Sequence, residues 1–313
     1  MWWFIAQRIS NPFYGSSRPP LKDFATVQNV PTGLFKYGGS AAWASIRLMV
    51  DSAIQADRRE FQLRYVQPPE TPVGSSTGIQ MLLADRLAFA QSARSILKEE
   101  MAQAQAKGFT LQQVPVAMDG IAVAVHPSLP IAGLTVDQLR SIYVGDITNW
   151  QELGGADLPI RPFSSPLSTG GTVEFFLEDI LNGQTFSKTV EYISTPTEAL
   201  RRLEDTPGGI YFSSAAIIVP QCSVRPLPLG KTSDQMVTPY AGELVAEADC
   251  PVRRNTLNVA ALRSEQYPLS RYLYVVVKQN GSIDQQAGEA YTQFLLSRQG
   301  QILVEQAGLV PLK

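Results

Sequence analysis

Helix-period and strand-period segments alternate along most of the chain. From Ala41 to about Gln55, Trp43, Ile46, Val50, Ala53 and Ile54 recur on one face, and Ser40 stands where it caps a helix. A second helix is predicted after Gly74-Ser75-Ser76-Thr77-Gly78, with Ile79, Leu82, Leu83 and Leu87 at helical spacing. A third begins at Gly170-Gly171-Thr172, where Val173, Phe176, Leu177, Ile180 and Leu181 follow one buried stripe. Ile121 to Val125, Gly209 to Phe212 and Leu273 to Val277 are apolar runs too short for helices and predict strands. Thr135 with Gln138, and Thr195-Pro196 with Glu198, read as capping boxes, the latter with proline at the first helical position. Gly281-Ser282 predicts a last helix through Tyr291, Phe294 and Leu295. Such alternation is the pattern of an α/β fold with largely parallel sheets. Ahead of it, Ser10 to Pro31 holds four prolines with Gly15, Ser16 and Ser17, which predicts an extended linker and a folded part starting near Gly33.

Composition narrows the class. The chain has 313 residues, 44% hydrophobic and 17% charged, enough apolar material for two packed lobes and too little charge for disorder. Its 26 basic and 28 acidic side chains leave a net charge of −2, with no basic footprint for nucleic acid. No run reaches the roughly 18 to 20 apolar residues of a membrane span. Met1 to Ile5 is apolar before Gln7 and Arg8, too short for a signal-peptide core. It reads as an ordinary start or as the remnant of a longer export or anchor segment. Cys222 and Cys250, 28 positions apart without a CxxC, do not suggest zinc or redox chemistry. Either they form a structural disulfide in an exported protein, worth about 3–4 kcal/mol in the chain-entropy model, or they stay unpaired.

Catalytic signals are sparse. The single histidine, His126, precedes Pro127 at a predicted strand end, and reads as a strand-end or hinge side chain. The chain has no GxSxG elbow, SxxK, HExxH or phosphate loop with its lysine. Glu99-Glu100 beside Lys98 reads as a solvated helix face. An enzyme is therefore not expected, and neither is a cofactor. What remains is three glycine- and hydroxyl-rich turns, each opening a helix. A helix N-terminus exposes unpaired N–H groups and favours an anion by about 0.3–2 kcal/mol. Ser40, Ser75 and Thr172, if convergent, would form a mostly neutral oxyanion cage.

YGGSAAW from Tyr37, GSSTGIQMLL from Gly74, FAQSARSILKEE from Phe89, DGIAVAVHPSLPIAGLTVDQLRSIYVGDITNWQELGG from Asp119, GGTVEFF from Gly170, PGGIYF from Pro207 and YPLSRYLYVVVK from Tyr267 follow in an order that resembles a known family. From Gly33 onward, over about nine tenths of its length, the chain resembles the PstS-like phosphate-binding proteins of ABC importers, most closely their cyanobacterial branch. The resemblance implies a two-lobed type II periplasmic-binding fold, each lobe a mixed sheet flanked by helices. Residues 33–118 with 266–313 would form lobe I, 119–265 lobe II, and 1–32 an N-terminal extension. The ligand would lie between the lobes, held by the turns matching Gly39 to Ala42, Ser75, Ser92 to Arg94 and Gly170 to Thr172. The implied site is thus Ser40, Ala41, Ser75, Ser92, Arg94, Gly170, Gly171 and Thr172. Inorganic phosphate or a similar oxyanion is the implied ligand, ABC permease subunits the implied partners, and the periplasm or another extracytoplasmic space the implied location, with an N-terminal membrane anchor as an option. A monomer is expected. A sensory or regulatory module of the same fold with altered specificity is the alternative.

The chain departs from the family pattern in the turns themselves. Ala41 stands where a threonine is usual, Ala93 where an aspartate or serine is usual, and Gly170 where a serine is usual. The basic residue expected upstream is missing from Ser164-Ser165-Pro166-Leu167-Ser168-Thr169. Each lost hydrogen bond to a charged oxyanion is worth about 1.5–3 kcal/mol, so weaker binding is expected unless Arg94, Ser168 or Thr169 compensates. Without a carboxylate at position 93, discrimination of protonated phosphate from sulfate is expected to weaken.

Overall fold

The computed structural model describes residues 23–69, 71, 73–166, 172–250 and 252–312. The segment Met1 to Arg8, most of the expected linker, and Gly170, Gly171, Ser168 and Thr169 lie outside the described residues. One sheet path runs through the molecule in the order Phe61–Tyr65, Gly33–Gly39, Phe89–Ser92, Ser270–Gln279, Thr110–Val125, Gly209–Ser214, Arg161–Ser164, Glu191–Tyr192. Gly33–Gly39 pairs parallel with both of its neighbours, and Ser270–Gln279 runs antiparallel between Phe89–Ser92 and Thr110–Val125.

Thr110–Val125 joins the two halves. Its first part pairs with Ser270–Gln279, and Ile121 to Val125 pairs antiparallel with Gly209–Ser214. The expected strand at Ile121 to Val125 is therefore only the end of a 16-residue strand. Thr110 to Gln113 holds a single apolar residue, Leu111, and so no apolar run to announce it. The last ten positions are all buried, as expected of a strand covered on both faces. Crossing points between the halves lie at Asp119–Ile121 and Leu269–Arg271, where the Ile121 amide donates to the Leu269 carbonyl at 2.9 Å.

Each half has its own core. Trp43, Phe61, Phe89, Tyr291 and Phe294 pack in lobe I, and Tyr143, Trp150, Phe176 and Phe212 in lobe II. The predicted helix from Ala41 is present through Asp57, with Ser40 at its cap and a wider π turn over Arg47–Asp51. The second helix, Ser75–Leu83, starts inside the glycine-serine turn rather than after it. The third is present as Thr172–Phe175 continued by a π turn over Phe176–Ile180. Thr135 and Gln138 form the reciprocal cap, with bonds of 2.9 and 3.1 Å. At Thr195 only the hydroxyl half of the box is made, accepting from the Glu198 amide at 3.2 Å.

Two expectations are corrected. Packing starts before Gly33: Phe24 is fully buried edge-on against Phe294, and Arg58 donates to the carbonyls of Phe24, Ala25 and Val27. Proline and serine content hid a single aromatic anchor. The helix Ile283–Leu296 is not the last, because Arg298–Gln306 follows after Ser297, whose hydroxyl accepts from the Gly300 amide. Cys222 and Cys250 form a disulfide.

Candidate functional site

The two helices that open toward the cleft are held by packing rather than by propensity. In lobe I, Gly78 lies against Gly39, where a β-carbon would come within 2.5 Å of the Gly39 Cα. Gly39 itself has φ near +129° and no room for a side chain beside the Gln91 carbonyl. This contact seats the start of Ser75–Leu83 on the first strand, while Ile79, Leu82 and Leu83 anchor its far face. In lobe II, Phe176 stacks on Phe212 with ring centroids 3.7 Å apart, and Tyr143 closes edge-on against both. That cluster fixes the turn carrying Thr172 and Glu174.

Two regions result. The first is a cavity of about 190 Å³ lined by Ala41 and Ala42 of lobe I and by Ser165, Thr172, Ser213 and Ser214 of lobe II. Its walls are uncharged: these hydroxyls and Ser194 stand among larger apolar side chains, Val173, Pro196, Phe212 and Ile217. The second is packed so tightly that no room for a water remains, and it gathers Ser75, Ala93, Arg94, Glu174, Phe175, Glu178, Asp179 and Arg271. Here the Ser75 amide, at the start of its helix, donates to Glu174 Oε1 at 2.9 Å and to Oε2 at 3.2 Å. Ser75 Oγ accepts from the Ala93 amide at 3.0 Å.

Both arginines of this wall are engaged. Arg94 reaches Glu100 with two bonds of 2.8 and 3.1 Å, Ser76 Oγ at 2.7 Å, and Glu178 at 3.8 Å. Burial works against its charge, but Glu100, with Glu178 and Glu174, outweighs this and raises the guanidinium above its ordinary value. Arg271 pairs with Asp119 at 2.7 Å across the crossover strands, both side chains buried, and lies over the Phe175 ring. Against two guanidiniums stand Glu100, Asp119, Glu174, Glu178 and Asp179. Burial raises the last three above ordinary carboxylate values; the Glu178 charge adds to the effect on Glu174.

The residues expected from sequence separate accordingly. Ala41 and Thr172 line the open cavity, and Ser75 and Arg94 belong to the filled wall. Ser40 and Ser92 are fully buried and line neither region. Ser40 Oγ accepts from the Ala42 amide at 3.3 Å, and Ser92 Oγ donates to the Arg94 carbonyl at 2.7 Å. Both hydroxyls bond to the backbone of their own turns. Gly170 and Gly171 lie outside the described residues. Beneath the first turn, Arg47 donates to the Ser40 carbonyl and to Gln91, and Tyr37 and Tyr291 donate to Asp51. Burial pushes Asp51 up to about 6, with both tyrosine bonds opposing.

Sequence reasoning missed Glu174, Glu178, Asp179, Asp119 and Arg271. The signal available was the run of three acids within eight residues of Thr172 on a predicted helix that opens a binding turn. Among the described residues, no group of three His, Cys, Asp or Glu side chains is placed to hold a metal ion, and no helix is long and apolar enough to cross a membrane.

Comparison with known proteins places this geometry in a family. The chain is similar to the phosphate-binding protein PstS of Pseudomonas aeruginosa, 28% identical over 254 residues, covering 76% of this chain and 72% of that one. It is also similar to the protein SphX of Synechococcus elongatus, 31% identical over 115 residues, which cover 35% of this chain and 34% of that one. In fold it matches an ABC-type phosphate transport receptor from Vibrio cholerae, with a TM-score of 0.70 at 18% identity over 89% of this chain and 99% of that one. The family model of a PBP superfamily domain matches residues 26–299, and the chain accordingly belongs to that superfamily, with its similarities among PstS-like proteins.

Proposed function

We propose that this protein is an extracytoplasmic solute-binding protein that captures an oxyanion, first of all inorganic phosphate, between two lobes and delivers it to an ABC importer. The observation that carries this reading is the hydroxyl-lined cavity of about 190 Å³ between Ala41-Ala42 of one lobe and Thr172 of the other. Hydroxyls donate to anion oxygens without adding a compensating charge. The similarity to proteins named as phosphate-binding supports the ligand. In this reading residues 33–118 with 266–313 form one rigid lobe and 119–265 the other, closing about the crossovers at Asp119–Ile121 and Leu269–Arg271. Thr172, Ser75 and the turns at Ala41 and Gly170-Gly171 hold the ligand; the protein binds without catalysis, acts as a monomer, and meets the permease subunits when closed.

Calorimetry of ligand-stripped protein against phosphate, sulfate and arsenate tests it. Phosphate binding at about micromolar or tighter, weakened about 10- to 100-fold by Thr172→Ala, is expected from the loss of one bond to a charged oxyanion. No heat with any of the three anions would overturn it. The alternative, a sensory module of the same fold with altered specificity, is favoured by one observation: the acidic excess around Ser75 and Arg94.

A further inference from the structure

The turn that precedes helix Ser75–Leu83 presents its first amide to the interlobe cleft, and that amide is already taken. Glu174 reaches across from the other lobe and sets both carboxylate oxygens on the Ser75 N–H, at 2.9 and 3.2 Å. Ser75 is 2% exposed, so solvent does not share the contact. A β-carbon on Gly74 would stand 2.5 Å from Glu174 Oε1, so the carboxylate lies against the bare backbone of the turn. Arg94 is bonded to Glu100 and Arg271 to Asp119, and both arginines act on Glu174 through their charge. A helix N-terminus that attracts anions therefore holds the chain's own anion.

We propose that Glu174 is an internal occupant of the cleft, a carboxylate that holds the Ser75 amide and must be displaced before an external oxyanion can use it, and so sets the affinity of the site. This rests on the oxyanion reading above and names what limits it. An entering phosphate meets two opposing terms. It must replace the Glu174 bond to Ser75, and it must approach the Glu174 charge if that side chain stays close. Both terms lower affinity for every anion. The missing carboxylate at Ala93 is thus not simply lost from the cleft: a carboxylate is present from the opposite lobe, placed as occupant of the amide.

The experiment uses two readouts. Phosphate is titrated calorimetrically at one fixed pH into the full chain, Glu174→Gln and Glu174→Ala, each stripped of ligand. Amide hydrogen exchange of Ser75 is followed in the same proteins and in Gly74→Ala, without ligand. An internal occupant predicts at least tenfold tighter phosphate binding for both Glu174 variants. It also predicts faster Ser75 exchange in Glu174→Ala and in Gly74→Ala, whose methyl pushes the carboxylate away. Unchanged or weaker phosphate binding in both Glu174 variants would overturn the proposal, since Glu174 would then be neutral or a ligand group. If no form binds phosphate, the oxyanion reading fails separately and exchange decides. Faster Ser75 exchange then still supports the occupant; unchanged exchange in both Glu174→Ala and Gly74→Ala overturns it.

Discussion

The two regions of the cleft differ in kind although they share the same pair of lobes. Around Thr172, Ser213 and Ser214 the walls are neutral, hydroxyl-bearing and separated by about 190 Å³ of space. Around Ser75 and Arg94 the walls are charged, and every gap is filled by side chains. In the neutral region Ser214 Oγ donates to Asp119 Oδ1 at 3.4 Å, while Thr172 and Ser213 line the open space. The charged region spends its donors internally, on Glu100, Asp119 and Glu174. A positive charge near a binding cleft is therefore not a measure of what the cleft can bind. What counts is whether the charge is already compensated, because a paired guanidinium offers little net attraction to a second anion.

The largest effect should come from breaking the charged region at its deepest point. Arg271 and Asp119 are both buried, and removing Asp119 takes away the carboxylate that Arg271 bonds at 2.7 Å in a low-dielectric site. Asp119→Ala should cost about 3–5 kcal/mol in urea unfolding. Replacing Arg271 as well, by methionine, should recover part of that loss, since an apolar pair of similar volume no longer carries a stranded charge. Equal stability of the single and double variants would show that the pair holds nothing.

A smaller effect separates the two regions directly. Arg94→Ala strands Glu100, which is 3% exposed and among the described residues keeps the Leu97 amide at 2.9 Å, so a loss of about 1.5–3 kcal/mol of stability is expected. Thr172→Ala lies in the open cavity and should change stability by less than about 0.5 kcal/mol while weakening phosphate. The two variants thus exchange roles: one reports on folding in thermal denaturation, the other on binding in calorimetry. If Arg94→Ala kept full stability and lost phosphate binding, Arg94 would be a ligand group and the distinction between the regions would fall.

This division was only partly legible in the amino-acid sequence. The helices were, because Trp43, Ile46, Val50 and Ile54, or Phe176 and Ile180, bury one face at a spacing that needs no knowledge of the partner. The motifs placed Ser75, Arg94 and Thr172 at the cleft, yet not what each hydroxyl or guanidinium does there. Ser40 and Ser92 look like ligand donors in sequence and act as turn acceptors and donors, since a hydroxyl beside a free amide satisfies the nearest backbone group first. Glu174 was invisible for a different reason. Its contact to Ser75 spans 99 positions and exists only where the lobes meet. The same holds for Asp119 with Arg271, 152 positions apart. Local periodicity carries no information on such pairs, and one acidic residue in a helical turn looks like solvated surface.

The finest test of the comparison is pH. Glu174, Glu178 and Asp179 are raised above ordinary carboxylate values, chiefly by desolvation where the lobes meet, with Glu178 adding to Glu174 and Asp179 to Glu178. Arg94 and Arg271 face the same wall and oppose the shift, while Glu100 adds to that of Glu178. An opened cleft would return these groups to water and toward values of about 4. By linkage, the state with the higher pKa takes up protons, so acid favours closure. Closure should therefore be strongest below the ordinary carboxylate range. It should weaken as pH rises from about 4 through the raised values, as three carboxylate charges form beside one another. Small-angle scattering of ligand-free protein should show a radius of gyration that grows modestly with pH. In Glu178→Gln/Asp179→Asn the same titration should be flatter, because two of the three groups no longer ionise. The neutral region contributes no titrating carboxylate, so Thr172→Ala should leave the profile unchanged; a radius that shrinks with rising pH would mean that the carboxylates are better satisfied in the closed cleft than in water, and the charged wall would then be a binding surface rather than a filled one.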